Sequence, residues 1–185
     1  MRRLGFGRLS APWSLSVVAL ALTGCSNLLA FDLSVQLAEQ RVEGSPIGGL
    51  LGGFFELPIP LDVDLASETA ARDTGPAQAV RLTSLTLDIT PTAEGAGDTD
   101  DFDFVDSVDI FVESRESGSD LPRVRVATVS GIPDGARQIV FETDTTVNLR
   151  PYVNEGARLT SSAEGTVPPD DVTFDGDIVL TVEVL

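Results

Sequence analysis

The chain has 185 residues, with 12 basic against 29 acidic side chains, no histidine and a formal net charge of −17 at pH 7. All of the basic residues are arginine, so Ser-His-Asp, Cys-His, Schiff-base and P-loop chemistries are excluded by composition. Charge of this sign also excludes a phosphate-backbone partner, so no nucleic acid is expected.

The first residues read as an export signal. Arg2, Arg3 and Arg8 precede an apolar run over Ala11–Leu22, and small residues follow it. About a dozen apolar residues are too few for a spanning helix, which needs roughly twenty. The run closes on Leu22-Thr23-Gly24-Cys25, and Cys25 is the chain's only cysteine, so a disulfide framework is excluded. These four residues resemble the lipobox of the bacterial lipoprotein family. The resemblance covers the first 25 residues and implies that residues 1–24 are a signal peptide. It further implies that Cys25 carries a diacylglycerol and becomes the mature N-terminus, its amine often acylated too. Each buried CH₂ contributes about 0.8 kcal/mol, so two or more acyl chains hold a protein stably at a membrane where one does not. Ser26, by resemblance to enterobacterial sorting, favours the outer membrane over the inner. The Arg2-Arg3 pair leaves both the Sec and the twin-arginine export routes open.

Residues 1–24 carry three of the arginines and none of the acids, so nine arginines and 29 acidic residues remain and the mature charge is −20. A charge this negative favours solubility, cation binding or a basic partner, and disfavours electrostatic docking on anionic lipid. Residues 25–28 form a short tether. Ser26, Asn27 and Leu28 reach roughly 10 Å if extended, which brings the domain over residues 29–185 close to the bilayer.

The apolar pattern of that domain alternates with period two, the pattern of half-buried strands. Leu29, Phe31, Leu33, Val35 and Leu37 predict the first. Leu57, Ile59, Leu61, Val63 and Leu65 predict another, and Pro58 and Pro60 place it at a sheet edge because both lack N–H donors on the same side. Val80 and Leu82 share one parity while Leu85, Leu87 and Ile89 share the other, which predicts a β-bulge near Ser84. Thr90–Gly97 reads as a connection, and Phe102–Val112 as a strand. Val124 and Val126, Ile139 and Phe141, and Val147 and Leu149 mark three more. Pro133-Asp134-Gly135 reads as a turn and Val167-Pro168-Pro169 as an extended loop. Asp175-Gly176 predicts a tight hairpin before a last strand, Ile178–Leu185, paired in a sheet. The whole predicts an all-β fold, a single antiparallel β-sandwich of roughly seven to nine strands.

Three segments could carry function. Ile47–Phe55 is apolar yet holds four glycines, which weaken helix and strand alike. It reads as a buried irregular loop, or as an exposed loop presenting Leu50, Leu51, Phe54 and Phe55 to lipid or a partner. Asp98, Asp100, Asp101 and Asp103 open an acidic run that could offer oxygen ligands to calcium. Asp98-Thr99-Asp100 begins like an EF-hand loop, but Phe102 takes the next ligand position and Asp103 the glycine position, so the solvated outer face of a strand competes with the metal reading. A second acidic set, Asp170, Asp171, Asp175 and Asp177, reads as turn chemistry. Tyr152, after Arg150-Pro151, could anchor a partner, or pack its ring in the core and tie its hydroxyl to a nearby backbone group.

These residues point to a lipid-anchored cell-envelope protein with a non-catalytic binding or structural role. Its partners would be the membrane and an unidentified envelope protein, on the periplasmic or the outer surface. A calcium-stabilised adhesion or assembly module is the first alternative, and calcium the one cofactor it would need. A carboxylate-dependent hydrolase is the second, disfavoured because sugar clefts usually offer aromatic platforms and residues 25–185 hold no Trp and one Tyr.

Overall fold

A computed structural model describes residues 29–45, 52–57, 59, 63–92 and 100–184. The signal segment, Cys25, Leu50, Leu51 and Asp98 lie outside the described residues. In chain order the elements are β1 (Leu29–Val42), β2 (Gly52–Phe55), α1 (Leu65–Ala71), β3 (Ala77–Thr90), β4 (Val105–Ser114), β5 (Val124–Ser130), β6 (Gln138–Val140), β7 (Glu142–Thr143), α2 (Arg150–Asn154), β8 (Ala157–Thr166) and β9 (Val172–Val184). The strands form two antiparallel sheets, ordered β1-β9-β3-β6 and β2-β8-β4-β5-β7. The chain is an all-β sandwich, as the alternating pattern predicts.

β9 lies inside the first sheet, paired along its length with β1 on one side and β3 on the other. Every second residue from Val172 to Val184 is buried, and these side chains meet Val108, Ile110 and Val112 of β4 in one core. β3 keeps up with β9 only by slipping. Its register shifts between Leu82 and Ser84, which turns both Leu82 and Leu85 inward and leaves Thr83 exposed. The bulge expected near Ser84 is therefore present.

Several expected elements differ, each for a reason the packing shows. Asp175-Gly176 is not a hairpin, because β9 runs straight through it. A Cβ on Gly176 would stand 2.9 Å from Leu87 Cδ2 and 3.1 Å from Leu37 Cδ1, so this glycine makes room for neighbouring strands rather than for a turn. Asp175 Oδ1 instead accepts the N–H of Glu39, 2.8 Å away, where β1 bulges and Glu39 takes φ +52.

The run Leu57–Leu65 forms no strand among its described residues. Ser161, buried in β8, accepts the Leu57 N–H at 2.6 Å and returns its own hydroxyl proton to the Leu57 carbonyl at 2.9 Å, so a side chain replaces the ladder. Leu65 opens α1, capped by Asp64, whose Oδ1 accepts the N–H groups of Ala66 at 3.0 Å and Ser67 at 3.1 Å.

Val147 and Leu149 likewise lead into a helix instead of forming a strand. The Leu149 N–H donates to the Val80 carbonyl at 2.7 Å, and Asn148 Oδ1 accepts from Val80 and Arg150, tying the start of α2 to β3. Tyr152, on α2, buries its ring and donates its hydroxyl to the Pro122 carbonyl at 2.8 Å, the core reading of this residue. The pair Ile139 and Phe141 straddles the two sheets, with β6 in one, β7 in the other and both side chains buried.

The expected strand Phe102–Val112 begins only at Val105, because Phe102–Phe104 form a turn closed by the Val105 N–H on the Phe102 carbonyl at 2.9 Å. Asp109 does stand on the outer side of β4, against Arg125 and Thr128.

The glycine-rich segment is a strand where it is described. Gly52–Phe55 pairs with β8 at the sheet edge, and Gly53 faces Gly165. A Cβ on Gly165 would fall 2.1 Å from the Phe104 carbonyl oxygen, whereas one on Gly53 meets nothing within 4 Å. Gly165→Ala should therefore lower stability by about 1–3 kcal/mol or more, because the obstacle is backbone. Gly53→Ala, its partner across the ladder, should stay within about 0.5 kcal/mol. Urea midpoints of the two variants check this, and equal losses would show that the strand pair, rather than the contact with Phe104, sets the cost.

Candidate functional site

The fold brings Asp100, Asp101 and Asp103 of the first acidic set to Asp170 of the second. The turn before β4 and the loop between β8 and β9 are joined by the Thr166 N–H on the Phe104 carbonyl at 2.8 Å. Between them opens a cleft of about 410 Å³, walled by Phe104, Val167, Pro168, Pro169 and Val172 and edged by Asp100, Asp101, Asp103 and Asp170. Phe104 of the cleft wall packs on Phe102, and Phe102 on Phe174, with ring centroids 6.2 and 6.4 Å apart, so the wall is continuous with the core.

Asp100, Asp101 and Asp103 of the cleft are tied to the protein itself. Asp100 is buried and accepts the Thr92 hydroxyl at 3.0 Å. Asp101 Oδ1 accepts the Asp103 N–H at 3.0 Å, which shapes the turn. Asp103 Oδ1 accepts the Gly135 N–H at 2.5 Å and so joins this turn to the Pro133-Asp134-Gly135 turn, where the Ala136 N–H closes on the Pro133 carbonyl at 3.1 Å. Asp171, just outside, accepts the Gly44 N–H at 2.8 Å and pairs with Arg41 across the end of β1. The Gly44 N–H is the main reason why the Asp171 carboxyl sits below its ordinary pKa, and Arg41 adds to it.

This geometry decides what the cleft can do. Among the described residues no group of three carboxylates converges to hold a metal ion. Carboxylates do line one cleft, and Asp100, Asp101 and Asp103 there already accept hydrogen bonds from the protein itself. Outside the cleft, Asp64, Asp144, Glu155 and Asp171 sit below their ordinary pKa values, with donated hydrogen bonds first among the causes. The cleft is a shaped acidic surface that could receive a cationic or polar partner group. Of the predicted apolar loop, Phe54 and Phe55 fall in β2, on the edge of the second sheet. Sequence reasoning treated Asp98–Asp103 and Asp170–Asp177 as separate sets. The signal that could have joined them is the spacing of the strand runs, since β4 starts just after Asp103 and β9 just after Asp170 and Asp171.

No protein family matches the sequence, and no curated protein is similar to it. Among solved structures the chain is similar to the BFDV capsid protein in its decameric form, at 13% identity over 85% of this chain and 99% of that one, with a TM-score of 0.43. The 60-mer form of that protein gives 9% identity over 85% and 93%, with a TM-score of 0.37. The Macrobrachium rosenbergii nodavirus structure gives 9% identity over 97% of this chain and 60% of that one, with a TM-score of 0.30. The sandwich assignment rests on the strand pairing above.

Two measurements follow from the cleft. Asp171 has a lowered folded pKa, so its contribution to stability is present above its unfolded pKa and is lost as pH falls through the folded value. The gap in urea midpoint between the wild type and Asp171→Asn should be open at pH 7 and close on acidification, and a gap independent of pH would remove the charge from the explanation. Melting of the domain in 1 mM calcium and in chelator should coincide. A site with a dissociation constant near 10 μM would add about 2.7 kcal/mol, a shift of several degrees.

Proposed function

We propose that the chain is an exported, lipid-anchored cell-envelope protein whose β-sandwich works by binding or structural support rather than by catalysis. The observation that carries this reading is Leu22-Thr23-Gly24-Cys25 behind a basic and then apolar segment, with Cys25 the only cysteine. The fold supports it in a second way. β1 opens at Leu29, with three residues between it and Cys25, so the domain follows the anchor almost without a linker.

A non-catalytic role is supported by the missing histidine and lysine and by aspartates already bonded within the protein. In this reading the partners are the membrane, through the lipid, and an envelope protein that meets the sandwich surface. Ser26 favours the outer membrane.

Metabolic labelling with a clickable palmitate analogue tests the anchor. The wild-type chain should take up label, and Cys25→Ala should take up none and remain as a larger, unprocessed precursor. Equal labelling of the two would overturn the proposal.

A further inference from the structure

The strand register fixes the end of the sandwich at which the chain enters. Leu29 pairs with Val184 of β9, and Val184 also faces Ala77 at the start of β3. In the second sheet the same end holds the Ser114–Ala157 pair, and the Leu149 N–H joins the sheets there through the Val80 carbonyl. The helix α2 and the connection 115–123 therefore lie at the entry end. Val42 and Val172 lie at the other end, and so does the acidic cleft. β9 runs between the ends with 13 residues, about 40 Å at the usual rise of a strand.

Charge divides along the same axis. Arg81, Arg115, Arg123, Arg150 and Arg158 belong to the entry half and are offset there by Asp32, Glu113, Glu116, Asp120, Glu155 and Glu183, with Glu113 paired to Arg158 and Glu183 to Arg81. At the far end Arg41 and Arg137 stand among Asp101, Asp103, Asp134, Asp170, Asp171 and Asp175. The chain's large negative charge is thus concentrated away from the entry. Among the described residues two large apolar side chains are exposed, and one of them, Leu29 at 59%, stands at the entry itself.

We propose that the α2 end of the sandwich rests on the lipid headgroups with Leu29 at the contact, and that the acidic cleft is held about 40 Å away, facing outward. This rests on the lipid anchor proposed above. A tether of three residues reaches about 10 Å, so the entry end cannot leave the surface by more. The surface potential decays over a Debye length of about 10 Å at 0.1 M salt. Standing the domain upright takes the acidic end out of that field, whereas tipping it over would press the aspartates against anionic headgroups. The net charge of the whole chain argues against electrostatic docking on lipid, but its distribution leaves the entry end nearly balanced and free to approach.

The test uses the full chain, processed and lipidated in a bacterial host. With Cys25 acylated, an introduced cysteine is the one free thiol. Ser117→Cys, in the exposed turn after β4, and Asp134→Cys, in the exposed turn beside the cleft, are each labelled with a donor fluorophore. They are then reconstituted into phosphatidylcholine–phosphatidylglycerol vesicles carrying a headgroup acceptor, after matching melting curves have shown that both fold. The donor at residue 117 should be quenched about threefold or more above that at residue 134, given a separation of about 40 Å. Equal quenching, or stronger quenching at residue 134, in chains that float with the vesicles would overturn the orientation and leave the anchor standing. Failure to float would overturn the anchor, and the orientation with it.

Discussion

The sandwich depends on the inward parity of β9. Its buried residues keep one phase from Val172 to Val184, so both neighbouring strands must present their own apolar side chains in step with it. Each neighbour satisfies that demand with a bulge, β1 between Leu37 and Gln40 and β3 between Leu82 and Ser84. Where the neighbours crowd closest, β9 yields a side chain altogether at Gly176, and Leu37 and Leu87 occupy the space. A strand buried on one face and paired on both edges has no freedom to slip, because a shift of one residue would turn every core side chain outward. The irregularities of the first sheet are thus the consequence of one regular strand.

The same logic explains why so many aspartates close turns here. A sandwich leaves backbone N–H groups unpaired wherever a strand bulges or a loop leaves the sheet, and a nearby carboxylate is a compact acceptor for them. Asp175 serves the bulged Glu39, Asp171 serves Gly44, Asp103 serves Gly135 and Asp64 caps α1. Part of the acidity that reads in the sequence as a metal site or a solvated surface is local backbone satisfaction. It also makes the loops at the cleft end stiffer than their composition implies.

Much of this was legible in the sequence. Alternation gave the class, the bulge near Ser84 and the paired last strand, and residue chemistry gave the Pro133-Asp134-Gly135 turn. Misreadings came from residues whose local signal was overruled by a partner distant in the chain. Asp175-Gly176 has the composition of a hairpin, yet its glycine answers Leu37 and Leu87 and its aspartate answers Glu39. Leu57 and Ile59 alternate like a strand, but a buried Ser161 from β8 supplies the hydrogen bonds of Leu57, and the turn of α1 follows from Asp64, whose capping signal lay inside the same alternating run. Gly52–Phe55 pairs with β8 despite its glycines, a long-range ladder that composition alone does not show. The acidic cleft was invisible for the same reason, since its two edges are separated by most of the second sheet.

β1 carries two duties that pull against each other. It is the edge of its sheet, with a row of backbone groups that could recruit a foreign strand, and it is the strand next to Cys25. The edge is blunted by local devices rather than by a covering strand. Glu39 at positive φ bends the ladder, and Asp32 stands exposed and accepts the Thr181 hydroxyl at 2.7 Å. On the inner side Phe31 is only half buried, and the Arg72 guanidinium lies 4.4 Å from its ring centroid. Arg72 is itself held to Glu68 on α1, so the short helix reaches the apolar residues of β1 through one stacked cation. Charge, twist and that stacked arginine together make the strand poor as a template for pairing.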